Sequence, residues 1–384
     1  MVLCSSSFIS LTFTLFILSL LRGSRSASLP CIGVTYSAES STADTHLPPE
    51  RIVTAINSLK FGSLRLEDSD PNIIRAFSYS NNTLFLIVPN YMVPEIAANR
   101  SNALRWLYVH VVPFYPRAKI TTISVGNDFV DVYPQSVDRL LSAMRNIHSS
   151  LHDLGIRKIA VSTSFSFIRA ISTPFPPSAA QFQNPSGVDF VGPLLQFLRE
   201  TNSSFLINVY PYNLYRLKSE IPIGIALFQE HAFNFRDDLT TGVRYSNLFD
   251  MMIDAVVSAM AVEGYENIPI IVTETGWPSD SVNGNEVEAN MAYAEVYLKG
   301  LVRHLKSGVG TPLRKEGVAE VYLYELFDKE KKQGTKPPDR NWGILYPNAT
   351  KKYNIDFSGS LENSGAKSWM KMAIEISLVL VLSL

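Results

Sequence analysis

Ile270-Ile271-Val272-Thr273-Glu274-Thr275-Gly276-Trp277-Pro278 and Ile123-Ser124-Val125-Gly126-Asn127-Asp128 decide the fold. In each, a short β-branched apolar run reads as a buried strand and ends in, or just before, a carboxylate. Two carboxylates at strand ends, far apart in sequence, are what retaining glycoside hydrolysis requires, one as general acid/base and one as nucleophile. Asp128 is one methylene shorter than Glu, which withdraws its carboxyl by roughly 1–1.5 Å. A misplacement of about 1 Å can cost about a hundredfold in rate.

Working outward, six more runs have the same character: Cys31–Tyr36, Ser63–Leu66, 84–88, 158–163, 205–209 and 318–326. With 120–124 and 269–273 they make eight. Most are continuous Val/Ile/Leu/Phe runs, as expected of parallel strands buried on both faces. Helical patterns fall between them. In 136–154, Leu140, Met144, Ile147, Leu151 and Leu154 line one face, and Gly155 supplies a stop. In 247–262, Leu248, Met251, Met252, Ala255 and Ala259 point inward, and a third helix is predicted over 285–305. Eight strands alternating with helices predict an α/β fold, a single (β/α)8 TIM barrel over 28–360. A doubly wound open sheet would offer a Gly-rich phosphate turn after an early strand, and the sequence has none. In a barrel the C-terminal strand ends build the active site, which places Asp128 and Glu274 on one face.

The ends read as processing signals. Residues 8–21 form an apolar core followed by Ser24, Ser26 and Ala27, which predicts a signal peptide over 1–27, with a signal anchor as the alternative. At the other end, small residues Asn363-Ser364-Gly365-Ala366 precede a polar spacer, 367–371, and an apolar tail, 372–384. That order predicts a GPI-attachment signal over 361–384, with the lipid on Asn363 or Ser364. A docked terminal helix is the alternative. Four sequons, at Asn81, Asn99, Asn202 and Asn348, predict N-glycosylation and fit a secreted, cell-surface or cell-wall glycoprotein.

Composition narrows the rest. A formal net charge of −1 over 384 residues leaves no electrostatic footprint for nucleic acid. Of two cysteines, Cys4 lies in the leader, so the mature chain keeps only Cys31 and no internal disulfide. His148 and His152 share a helical face, but Ser149 stands where a zinc protease needs Glu, and they read as a solvated helix edge. We expect no metal and no cofactor, and contact with a membrane only through the lipid anchor.

The motifs together resemble plant family 17 glycoside hydrolases, the endo-1,3-β-glucanases, from Ile32 to about Phe357. Ile32-Gly33-Val34-Thr35-Tyr36-Ser37 resembles that family's Ile-Gly-Val-Asn-Tyr-Gly, and 64–71 (Leu-Arg-Leu-Glu-Asp-Ser-Asp-Pro) its Val-Arg-Leu-Tyr-Asp-Ala-Asp-Pro. Val125-Gly126-Asn127-Asp128 resembles Val-Gly-Asn-Glu, and Asn208-Val209-Tyr210-Pro211-Tyr212 resembles Asn-Ile-Tyr-Pro-Tyr. Thr273 to Ser279 matches the nucleophile signature, and Arg340-Asn341-Trp342-Gly343 closes the set. The resemblance implies a divergent GPI-anchored member. Glu274 would be the nucleophile, Asp128 the acid/base, and a 1,3-β-glucan the polysaccharide cut internally by a monomer. Thr35, Ser37, Glu67, Asp128 and Lys329 depart from the family pattern.

Four further residues are candidates for binding substrate. The Asn127 amide is placed to bond a sugar 2-hydroxyl, or is a turn residue. Tyr36 and Tyr210 end strands, and each either hydrogen-bonds nucleophile or sugar, or packs the core. Trp277 either floors a subsite or packs the barrel rim. Two alternatives to hydrolysis stay open: a catalytically weak or inactive glucan-binding wall protein on the same barrel, and a β-glucan transglycosylase.

Overall fold

The computed structural model describes residues 29–37, 47–183, 190–229, 231–281, 284–329 and 340–358. The expected leader, lipid anchor and their residues Asn363 and Ser364 lie outside the described residues.

Eight parallel strands close into a barrel: β1 (Cys31–Tyr36), β2 (Ser63–Leu66), β3 (Thr83–Val88), β4 (Lys119–Asn127), β5 (Ala160–Ser166), β6 (Phe205–Asn208), β7 (Ile270–Thr275) and β8 (Glu320–Leu323). Neighbours pair in chain order, and β8 returns to β1 with Cys31 opposite Glu320. The expected (β/α)8 barrel is the fold observed.

Each strand is buried twice over. On β3, Leu84, Leu86 and Val88 pack outward into the large core shared with the helices, whereas Phe85 and Ile87 point into the barrel. There they meet Leu206, Ile271 and Tyr322 from β6, β7 and β8. Period-two alternation with apolar residues on both faces gives the continuous hydrophobic runs seen in sequence. The Tyr322 ring fills the lower barrel, its hydroxyl 2.7 Å from Ser63 Oγ. A Cβ on Gly33 would stand 2.6 Å from that ring, so the glycine gives the tyrosine its space.

The helix Val137–Asp153 buries Leu140, Met144, Ile147 and Leu151, as its periodicity predicts, and ends before Gly155, whose φ is +74°. Leu248–Val262 buries twelve residues, Asp250 and Asp254 among them, more than the one expected face. Asn247 caps it, accepting from the Asp250 amide at 2.7 Å. The third expected helix is corrected: it runs Met291–Ser307, because Asn290 caps it and sets its start. The eighth strand is likewise shorter than the predicted 318–326.

No helix among the described residues is long and apolar enough to cross a membrane. Nor does any group of three or more His, Cys, Asp or Glu side chains among them suit a metal ion. The His148 ring packs edge-on to Phe197, at 5.8 Å.

Candidate active site

The upper barrel changes character. Where the lower strands carry Phe85, Ile87 and Ile271 inward, the C-terminal ends carry Arg65, Asn127, Ser164, Asn208 and Glu274. The pairing register sets these side by side: Asn127 lies opposite Ser164, and Asn208 opposite Glu274.

Glu274 sits on β7, 7% exposed. One oxygen, Oε1, takes the Asn127 amide at 3.0 Å and lies 2.9 Å from Arg65 Nη2. The other, Oε2, accepts from the Tyr210 hydroxyl at 2.7 Å. Two neutral donors and one cation fix the carboxylate's plane. Burial first, then the Glu274 charge, push the Tyr210 hydroxyl well above its ordinary value, so it stays a donor.

Asp128 follows β4 in a left-handed conformation, φ 49°, which Asp tolerates better than most residues. Its backbone N–H donates to Ser164 O at 3.1 Å, and its Oδ1 accepts from Asn208 Nδ2 at 3.0 Å. That same Nδ2 reaches Asn127 Oδ1 at 3.2 Å, which also accepts from Ser164 Oγ at 2.7 Å. Asn208 is held in turn by Thr273 Oγ1, which donates to its Oδ1 at 2.6 Å. One amide network therefore ties the two carboxylates together. The Asp128 carboxyl is pushed up to about 8, chiefly by burial and next by the Glu274 charge. Glu274 is thus met by two neutral donors and a cation, whereas Asp128 is kept protonated at neutral pH.

Asn127, read from sequence as a partner for a sugar 2-hydroxyl or a turn residue, donates to Glu274, as does Tyr210. Trp277 does not. Tyr36 is buried and set edge-on to Phe327 at 6.1 Å. Trp277 is corrected from a subsite floor: it is 1% exposed, with Tyr212 at 5.0 Å and Tyr297 at 5.7 Å. Its Nε1 is spent on Glu288 O at 2.8 Å. A ring enclosed this way anchors β7 from behind and offers no face to a sugar. Trp342 is a half-buried aromatic at the site, its ring 5.1 Å from Tyr210 and 6.4 Å from Tyr324, both also half-buried. Arg340 positions that segment through paired hydrogen bonds to Glu286, both 2.6 Å.

Three further groups went unassigned in sequence. Arg65 is a charged residue inside an apolar strand, and a fully buried guanidinium must be paired. Glu67 lies 3.7 Å from Arg65 Nη1 and is raised to about 7, first by burial and then by Glu274. Lys329 donates to the Tyr324 hydroxyl at 3.0 Å.

The glycosyl hydrolases family 17 profile matches residues 32–357. Glucan endo-1,3-beta-glucosidase 12 of Arabidopsis thaliana is 36% identical over 330 residues, which cover 85% of this chain and 60% of that protein. The chain thus spans less than two thirds of this relative's length. Among solved structures, CJP38, a beta-1,3-glucanase and allergen of Cryptomeria japonica pollen, superposes with a TM-score of 0.78 at 31% identity. That alignment covers 85% of this chain and 99% of the other. A plant beta-glucan endohydrolase aligns with a TM-score of 0.73 at 29% identity, over 84% and 99% of the two chains. With its profile match spanning the whole barrel and both carboxylate motifs, this chain belongs to glycosyl hydrolases family 17.

Proposed function

We propose that this protein is a retaining endo-1,3-β-glucanase. In the first step, Glu274 attacks the anomeric carbon while Asp128 donates its proton to the departing oxygen; in the second, Asp128 as base activates the water that releases the sugar. Asn127, held by Glu274, Ser164 and Asn208, hydrogen-bonds the 2-hydroxyl in this reading. The observation that carries this reading is the different setting of the two carboxylates on one hydrogen-bond network, Asp128 raised to about 8 and Glu274 met by two hydrogen-bond donors and the Arg65 cation. The 1,3-linkage rests on the names of the relatives.

The test is incubation with a soluble 1,3-β-glucan, reading new reducing ends and, by NMR, the anomer first released. Internal cleavage with retained β-configuration supports the proposal; glucan binding without new ends would leave the binding-protein alternative. That alternative draws on the shorter reach of Asp128. Longer oligosaccharides formed from short ones would indicate transglycosylation.

We further propose that the protein is secreted to the cell surface or wall, carries N-glycans and is lipid-anchored. All four sequon asparagines, Asn81, Asn99, Asn202 and Asn348, are exposed, which supports glycosylation. Release from membranes by phosphatidylinositol-specific phospholipase tests the anchor, and a mature chain that retains Leu384 would refute it.

A further inference from the structure

The Arg65 guanidinium is fully buried, and neither its Nε nor its Nη2 makes a hydrogen bond among the described residues. Its charge is met chiefly by Glu274, 2.9 Å from Nη2. The Thr35 hydroxyl accepts from Nη1 at 3.3 Å, and the Phe85 ring centroid lies 5.7 Å from the guanidinium carbon, but neither carries charge. The remaining anion is Glu67, whose Oε1 lies 3.7 Å from Nη1. One cation is therefore shared between two carboxylates on one side of the barrel.

Glycosylation removes one of the two. When a Glu274 oxygen bonds to the anomeric carbon, the bond to the leaving group breaks and its electron pair departs with that group. Glu274 becomes an uncharged ester. A buried guanidinium that loses its counter-ion is strongly destabilised. We propose that Glu67 is a positioning residue that takes over as counter-ion of Arg65 while Glu274 is esterified, and so stabilises the glycosyl-enzyme and the transition state leading to it. The proposal rests on the reading of Glu274 as nucleophile.

The surroundings of Glu67 fit such a hand-over. The groups that act on it are Arg65, Glu274, Lys329 and Asp68, and it acts in turn on the Tyr324 hydroxyl. Burial and the Glu274 charge hold it near neutrality, at about 7, whereas Arg65 and Lys329 draw it down. Loss of the Glu274 charge removes one of the two main forces holding the proton. Glu67 then releases it to solvent and pairs with Arg65, its side chain being 26% exposed. Its backbone is fixed for the task, the N–H donating to Tyr36 O at 3.0 Å.

The experiment is covalent trapping by 2,4-dinitrophenyl 2-deoxy-2-fluoro-β-laminaribioside, read as dinitrophenolate release and as mass added to the protein. That leaving group needs no proton, so Asp128 is not tested, and its titration cancels in the ratio of two enzymes that both contain it. Below about pH 5, Glu67 is protonated in the wild type, and Glu67→Gln should trap at a similar rate. Above about pH 8 the wild type should trap about 10–100-fold faster than Glu67→Gln. The ratio should therefore rise through about pH 7, and Glu67→Asp should restore part of the rise. The trapped Glu67→Gln ester should also turn over faster than that of the wild type. A merely structural Glu67 would change rates equally at all pH values, so a flat ratio overturns the proposal. Equal ester lifetimes in the two proteins overturn it as well. Failure of the wild type to be labelled on Glu274 would instead overturn the nucleophile assignment, and this proposal with it.

Discussion

Asp128→Asn separates the acid's chemistry from its cost. Asn keeps the size, tolerates the left-handed backbone at φ 49°, and its Oδ1 still accepts from Asn208. It cannot ionise. In the folded wild type the Asp128 carboxyl titrates at about 8 against an ordinary 3.8. The protonated form therefore stabilises the fold. That contribution is complete below about pH 4 and is lost as pH rises through about 8. Roughly four pH decades at about 1.36 kcal/mol each set a ceiling near 6 kcal/mol. Partial exposure and sharing of charge with Glu274 cut this to on the order of 2–3 kcal/mol. The variant should match the wild type near pH 4 and exceed it by that amount near pH 9. Urea midpoints measured across this range at constant m-value give the difference directly. The same variant should lose activity on unactivated glucan far more than on an aryl glycoside with a good leaving group. A stability difference that does not change with pH would refute the assignment of Asp128 as a buried, protonated acid.

Glu274→Gln should remove nearly all turnover and also destabilise the protein by a few kcal/mol, because Arg65 keeps only Glu67 as a counter-ion; kinetics together with thermal unfolding check both. Tyr210→Phe deletes the 2.7 Å bond to Glu274 Oε2 and should lower kcat/KM about 10–100-fold and cost about 1–3 kcal/mol of stability, because a buried carboxylate oxygen loses its donor. Trp277→Ala should cost about 3–5 kcal/mol of stability, whereas Trp342→Ala should leave stability nearly intact and raise KM for oligosaccharides; wild-type stability in the first variant would contradict the enclosed ring.

The barrel was legible because its outer faces obey one rule. Strands between two apolar layers give unbroken Val/Ile/Leu runs, and the helix Val137–Asp153 shows its periodicity plainly. The upper layer obeys another. Ser164 and Ser166 belong to β5, yet they look like loop residues, so that strand was expected to end at 163. β4 similarly runs on to Asn127, past the expected 124. Polar residues inside a barrel break the hydrophobic pattern at the place where chemistry begins. Arg65 was the available signal, since a lone arginine in Ser-Leu-Arg-Leu can be buried only against an anion. Trp277 shows the limit in the other direction. Its neighbours Glu274 and Gly276 mark the site, but the strand's direction turns the indole toward the Tyr212 and Tyr297 rings. Adjacency in sequence does not give a shared face.

The short acid has a counterpart in the backbone that bears it. Gly126 and Asp128, on either side of Asn127, both take positive φ, 81° and 49°, and the β4–β5 register shifts between Ser124 and Asn127. That irregular end is pinned. Asn90 clamps Asn127 from both sides, donating to its carbonyl and accepting from its amide, each at 2.8 Å. Ser164 O holds the next N–H. A Cβ on Gly126 would stand 2.8 Å from Asn90 Oδ1, so the clamp itself depends on the glycine. The reach of Asp128 is therefore decided by where this locked turn places its Cα as much as by side-chain length. Glu at 128 would have to adopt the same left-handed backbone at a cost of about 1 kcal/mol, and would carry its carboxyl past the Asn208 amide that now holds it. The short side chain and the local geometry thus form one arrangement, in which Asp128 is positioned by hydrogen bonds to backbone and amide groups and kept protonated chiefly by burial.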